Sequence, residues 1–304
     1  MKMARKSVCF KPLLWATIWL LFTSCVGATS SPQAYKIRYP MVVGTSLYQH
    51  QANYFIAVLK LALEKIDLPY HIEFVDIPTL AQTRSQSLLK QGFYDIHWLT
   101  TSNERESQLK PIRIPLYKGL LGLRIAFVHN THKELFAQTN TLEQLRKFYS
   151  GQGRDWQDSQ ILLHHGFRLI EASSTAALFE MLQIKRIDYF PRSILEIWWE
   201  SEKPETADLS IDPYIALYYP EAVYFFVHKD NTELHDNVSQ GLKKAIADGS
   251  FQQNFEHYVG ASIERAQLHK RQIFKLSNPF IPAETPLSES HLWYELGLQE
   301  RAVE

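Results

Sequence analysis

Side chains able to hold a small ligand gather at four places in this sequence. Each place adjoins a segment that reads as a strand or as the start of a helix. Thr45, Ser46 and Tyr48 follow the first strand candidate, where Tyr48 could form an aromatic wall. Trp98 and Thr100 come at the end of the third strand candidate. Gly151-Gln152-Gly153-Arg154-Asp155-Trp156 reads as a glycine-rich turn into a helix, whose free backbone amides could bind an anion. Arg154 and Trp156 would add charge and a flat apolar face, although simple turn chemistry explains the glycines equally well. Ser173 and Ser174 precede another helix; capping accounts for one, and either could touch ligand.

Catalytic chemistry finds less support. His129 and His132 lie three apart and His164 and His165 are adjacent, but neither pair has a third ligand at metal-site spacing. Gly-x-Ser-x-Gly, P-loop and His-Glu-x-x-His patterns do not occur. An enzyme would need a carboxylate or histidine with an acid/base partner in the cleft, and Glu171 is the nearest candidate. No cofactor, metal or catalytic residue is expected.

The start of the chain reads as an export signal. Lys2, Arg5, Lys6 and Lys11 precede any acidic residue, and Leu13 to Phe22 form an apolar run of about ten residues, as in a signal peptide. A bilayer span needs roughly 20. Val26-Gly27-Ala28 suits cleavage after Ala28, while Phe22-Thr23-Ser24-Cys25 resembles a lipobox that would make Cys25 a lipidated N-terminus. Either route places the protein in the periplasm. Cys9 and Cys25 are the only cysteines, so the exported chain has no disulfide and no cysteine metal site. The leader carries four of the 32 basic residues, which leaves 28 against 32 acidic ones and disfavours a nucleic-acid partner.

About 275 remaining residues suit one large or two medium domains. Strand and helix signals alternate: strands over Tyr35 to Val43, Tyr70 to Ile77 and Tyr94 to Leu99, with a loop from Gly44 to Gln49, a helix from Ala52 to Ile66, and another opened by Pro78-Thr79. After Pro115 the pattern restarts. Gly122 to His129 is β-rich, Leu142 to Tyr149 and Asp155 to His165 read as helices, Arg168 to Ala172 as a strand, Thr175 to Gln183 as a helix capped by Ser174, and Asp188 to Phe190 as a strand. Ala222 to His228 is a further strand, and Leu234 to Asp248 a helix stopped by Gly249. The tail from Ala266 is expected to wrap the first lobe. Strands separated by helices predict mainly parallel sheets flanked by helices.

In this order the chain resembles the type II periplasmic binding proteins, in the amino-acid-binding branch that serves ABC importers. Gly92-Phe-Tyr-Asp-Ile-His-Trp-Leu-Thr-Thr-Ser-Asn-Glu-Arg105, Ile114-Pro-Leu-Tyr-Lys-Gly119 and Tyr219-Pro-Glu-Ala-Val-Tyr-Phe-Phe-Val227 carry the resemblance, together with the helix region from Gly241 to Phe251. It implies an α/β fold of two lobes joined by two hinge strands, with residues 33–125 and 227–304 in lobe one and 126–226 in lobe two. It places Thr100 and Arg105 where the family holds a ligand carboxylate. Where the family has an acid for the ligand's amino group, this chain has Pro191-Arg192-Ser193, with Glu196 nearby. Arg192 without a counter-charge would favour an anionic ligand. The implied function is non-catalytic capture of a small molecule by a monomer that hands it to a membrane permease. A sensory module for a receptor, or an enzyme such as a cyclic-acid dehydratase, remains the alternative.

Processing after Ala28 removes both cysteines, whereas processing at Cys25 attaches lipid. Cells fed a labelled fatty acid should give an unlabelled, thiol-free mature protein in the first case and a labelled band in the second.

Overall fold

The computed structural model describes residues 34–42, 46–67, 69–77 and 82–296. The leader with Cys9, Cys25 and Ala28 lies outside the described residues, as do Thr45, Pro78, Thr79 and the Ser46 side chain. Among the described residues no helix is long and apolar enough to cross a membrane.

A parallel pair opens the fold. β1 (Tyr35–Val42) runs beside β2 (Tyr70–Ile77), Tyr35 opposite Tyr70 and Val42 opposite Ile77. Helix α1 (Ser46–Glu64) makes the crossover that parallel neighbours require. It starts at Ser46, which corrects the expected loop over Gly44 to Gln49. The reason is its apolar stripe: Tyr48 continues the spacing of Ala52, Phe55, Leu59 and Leu63 and packs with them. Then follow α2 (Gln82–Lys90), β3 (Ile96–Thr100), α3 (Asn103–Gln108) and β4 (Lys110–Ile112).

β5 (Leu123–His129) enters a second, larger sheet. Its other elements are α4 (Leu142–Leu145), β6 (Tyr149–Gly153), α5 (Gln157–His164), β7 (Arg168–Ala172), α6 (Thr175–Gln183), β8 (Tyr189–Ser193), α7 (Ile197–Glu200), β9 (Leu209–Ile211) and β10 (Ile215–Tyr218). The expected glycine-rich turn is thus a strand. Gly151 fits inside β6 because a Cβ there would meet the Ile187 side chain at 2.4 Å. Ser174 caps α6 as expected, accepting a hydrogen bond from the Ala177 amide.

The chain returns through β11 (Val223–Val227), which lies antiparallel between β3 and β4. α8 (Thr232–Ala247) and a helix absent from the sequence reading, α9 (Ser250–Ala266), follow. Gly249, at φ +81°, ends one and starts the other. The last strand, β12 (Gln272–Lys275), pairs with β10, giving the order β12-β10-β5-β8-β6-β7 with β9 on β5. The tail, expected to wrap the first lobe, thus also adds a strand to the larger sheet.

Among the described residues the strand pairs are parallel except where β5 and β11 take part: every antiparallel pair involves one of those two strands. One apolar cluster runs from Tyr39, Phe55 and Ile96 through Leu116, Leu120 and Leu123 to Phe127, Phe179 and Phe190. α1 and α8 pack closely enough that a Cβ on Gly241 would stand 1.8 Å from the Ala62 carbonyl oxygen, whereas nothing lies within 4 Å of that position on Gly260. Gly241→Ala should therefore destabilise the fold by about 1–3 kcal/mol. Gly260→Ala, in the middle of α9, should stabilise it by about 0.5–1 kcal/mol. Urea midpoints measure both, and equal shifts would contradict the packing described.

Candidate functional site

In the larger sheet β6, β7 and β8 are parallel and end side by side at Gly153, Ala172 and Ser193. Loops at such carboxyl ends present side chains and helix N-termini to one face. The structure brings Trp156, Ser173 and Arg192 to this edge, with Arg154 exposed beside them. Gly153 makes room for Trp156, since a Cβ there would fall 2.4 Å from the indole. The indole lies parallel to Phe190, with centroids 6.1 Å apart, and the Arg192 guanidinium sits 4.9 Å from the indole centroid. Ser173 and Ser174 are exposed at the start of α6. Glu171 is exposed on β7.

Arg192 is not without a counter-charge, which corrects that expectation. Its Nε and Nη2 donate to the two carboxylate oxygens of Glu200 at 2.8 and 2.7 Å, and Glu196 lies 3.1 Å away. Burial opposes the charge, but Glu196 and Glu200 outweigh it and hold the guanidinium above its ordinary range. One turn of α7 brings Glu200 back under the strand, so the pair is bidentate.

Glu196 also lies 3.5 Å from Arg124, at the start of β5. Arg124 is buried and pairs with Asp158 at 2.7 Å and Glu221 at 3.0 Å, while the Tyr219 hydroxyl donates to Asp158. Burial pushes the Glu221 carboxyl up to about 8, Asp158 adds to the rise and Arg124 opposes it. Two guanidinium groups thus meet four carboxyl groups, of which Glu221 is held above the ordinary carboxylate range. The sequence reading missed Arg124, Asp158, Glu200 and Glu221. Arg192-x-x-x-Glu196-x-x-x-Glu200 was a local signal for one half, but Arg124 and Glu221 are 97 residues apart and only the fold joins them.

In the first lobe Tyr48 stacks on Trp98 at 5.5 Å, and Trp98 on Phe55 at 4.4 Å. The Tyr48 hydroxyl is 2.9 Å from His97 Nε2, and His97 Nδ1 is 2.7 Å from the Ser85 hydroxyl. Burial, with Arg105 nearby, lowers His97 to about 3, so the ring is neutral and bridges three elements. Thr100 is buried opposite Val223. Arg105 is buried too, and its Nε donates to Gln86 at 3.2 Å within the same lobe. Burial lowers it to about 10. His129 and His165 are engaged with Thr131 and the Ser277 carbonyl.

No family model matches this chain, and no curated protein matches it. Solved structures do. The second VFT domain of Bordetella pertussis BvgS, a double mutant, aligns with a TM-score of 0.55 at 16% identity, over 73% of this chain and 93% of its own. An arginine-specific periplasmic binding protein of Salmonella typhimurium aligns at 0.50 and 16%, over 74% and 99%. A reconstructed ancestral amino-acid-binding protein, a precursor of cyclohexadienyl dehydratase, aligns at 0.50 and 16%, over 73% and 94%. This chain has the type II periplasmic-binding-protein fold. β5 and β11 begin just after the two stretches, before Leu123 and before Val223, that join the β3-β11-β4 sheet to the larger one.

Removing one partner of the buried Arg192–Glu200 pair strands a charge. Glu200→Ala should cost about 3–5 kcal/mol in urea unfolding, and Glu200→Gln less. For Glu221 the folded value lies above the unfolded one, so between the ordinary glutamate range and about pH 8 the folded chain holds a proton that the unfolded chain lacks. Below about pH 6.5 the lowered His97 works in the opposite sense and offsets this loss; from there to about pH 8 stability should fall as pH rises, and Glu221→Gln should flatten the fall. A wild-type profile with no such decline would contradict the assignment.

Proposed function

We propose that this chain is an extracytoplasmic solute-binding protein that takes a small amino-acid-like molecule between its lobes without transforming it. One observation carries the reading. Three parallel strands end together, and each end is followed at once by groups suited to a small polar ligand: Trp156 after β6, Ser173 after β7, and Arg192 with Glu196 at the end of β8. Ligands of open α/β sheets bind at such edges. The Salmonella and ancestral neighbours, which bind arginine and amino acids, support the ligand class.

The charges favour an ammonium group over an anion. Asp158, Glu196 and Glu200 face only Arg124 and Arg192, and Glu196 is the most exposed of the three. Glu196 is therefore our candidate for the acid that meets the ligand's amino group. From the first lobe, Thr100 and Arg105 are the candidates for a ligand carboxylate, Arg105 exchanging its bond to Gln86 for it. Tyr48 and Trp98 supply an apolar wall. In this reading the closed protein is presented to a membrane permease, or to a receptor, on the periplasmic side.

A thermal-shift panel of amino acids and small dicarboxylates tests the reading. Ligand at a hundred times its dissociation constant should stabilise the fold by about 2.7 kcal/mol. Amino acids should do so, and Glu196→Gln should abolish the effect. Stabilisation by dicarboxylates alone would overturn the charge argument, and conversion of a stabilising ligand, followed by mass spectrometry, would make the protein an enzyme.

A further inference from the structure

The C-terminal segment does more than end the chain. After α9, which packs on α1 and α8, Gln267 turns the backbone at φ +45° toward the larger sheet. Arg271 fixes that exit: its Nε donates to the Ala266 carbonyl at 2.6 Å, and its Nη1 to the carbonyls of Ile215, at 3.1 Å, and Asp212. The last residue of α9 is thereby tied to the turn before β10. β12 then runs parallel to β10, Ile215 opposite Gln272 and Tyr218 opposite Lys275. The Leu276 amide donates to the Tyr218 carbonyl at 2.8 Å, and Asn278 Nδ2 to the Pro220 carbonyl at 2.9 Å. The first carbonyl ends β10 and the second lies on the stretch joining β10 to β11, the second connection between the lobes.

The segment then comes back. The Tyr294 amide donates to the Lys118 carbonyl at 2.8 Å, and the Trp293 ring covers Gly119, where a Cβ would meet it at 2.5 Å. Lys118 and Gly119 lie on the first connection, and both hold positive φ, +50° and +80°. A lysine there is an uncommon conformation that its surroundings must impose. The Tyr294 ring also reaches Phe255 of α9.

We propose that residues 267–294 are a strap that crosses between the lobes twice and grips both connections, so that the lobes move only as far as the strap yields. Two extended connections alone would leave the hinge to a few backbone torsions. Here the torsions at Lys118, Gly119, Tyr218 and Pro220 are coupled to a third and a fourth strand of chain. The strap acts on the lobes whether or not a ligand is bound, so it stands apart from the binding reading.

Cutting the strap in the folded protein tests it. Leu287 to Ser290 are exposed, so a protease site inserted between Leu287 and Ser288 is accessible. Spin labels on Lys60→Cys and Glu180→Cys, one in each lobe, report the separation in a chain carrying Cys9→Ser and Cys25→Ser. Before cleavage one narrow distance distribution is expected. After cleavage, without added ligand and with circular dichroism unchanged, the distribution should broaden and gain a second separation. Trp293→Ala, uncut, should broaden it in the same sense. An unchanged distribution in the cut protein would overturn the proposal.

Discussion

At Gly122 the first connection between the lobes passes the second so closely that a Cβ would stand 1.9 Å from the Tyr219 carbonyl oxygen. The Tyr219 amide donates to the Gly122 carbonyl at 3.2 Å. Two backbones in direct contact fix where β5 leaves one lobe and where β11 re-enters it. The site inherits its geometry from that contact. Arg124 follows two residues after Gly122 and Glu221 two residues after Tyr219, so the crossing itself delivers a guanidinium and a carboxyl group to one another.

The resulting cluster is held by mutual need. A buried guanidinium without partners costs several kcal/mol, and so does a buried carboxylate. Asp158 from α5 answers Arg124, Glu200 from α7 answers Arg192, and Glu196 beyond β8 lies between the two. The arrangement thus ties α5, the turn after β8 and α7 of the larger sheet's side to the start of β5. Moving any one carboxyl group changes the charge felt by the others, which is why the Glu221 proton responds to Asp158 as well as to burial.

Much of the fold was legible in the sequence, because periodicity is a local property. The α1 stripe, the Ser174 cap and the strands of the first lobe follow from residues close together in the chain. The misreadings are local rules overridden by packing. Gly151 and Gly153 look like a turn, yet they are small because Ile187 and Trp156 press on the strand. α9 was hidden because Gly249 reads as a stop and serves equally well as a junction. In the site, Trp156 was read from a glycine-rich turn, Ser173 from a helix start and Arg192 from the resemblance; the fold sets all three at the strand ends, but the counter-charges of Arg192 were not read. Arg105 was placed by resemblance, and its bond to Gln86 depends on α2, which carries no motif.

The dependence of every antiparallel pair on β5 or β11 bears on the order in which the chain can fold. β5 to β10 form an uninterrupted stretch from residue 123 to 218, so most of the larger sheet can close on itself as soon as it is synthesised. β3 and β4 have no such independence. The strand that joins them is β11, more than a hundred residues later, and until it arrives they are separate ribbons with apolar faces. In chain order the larger sheet can therefore be nearly complete before the β3-β11-β4 sheet, whose first strand is made earlier, receives its central strand.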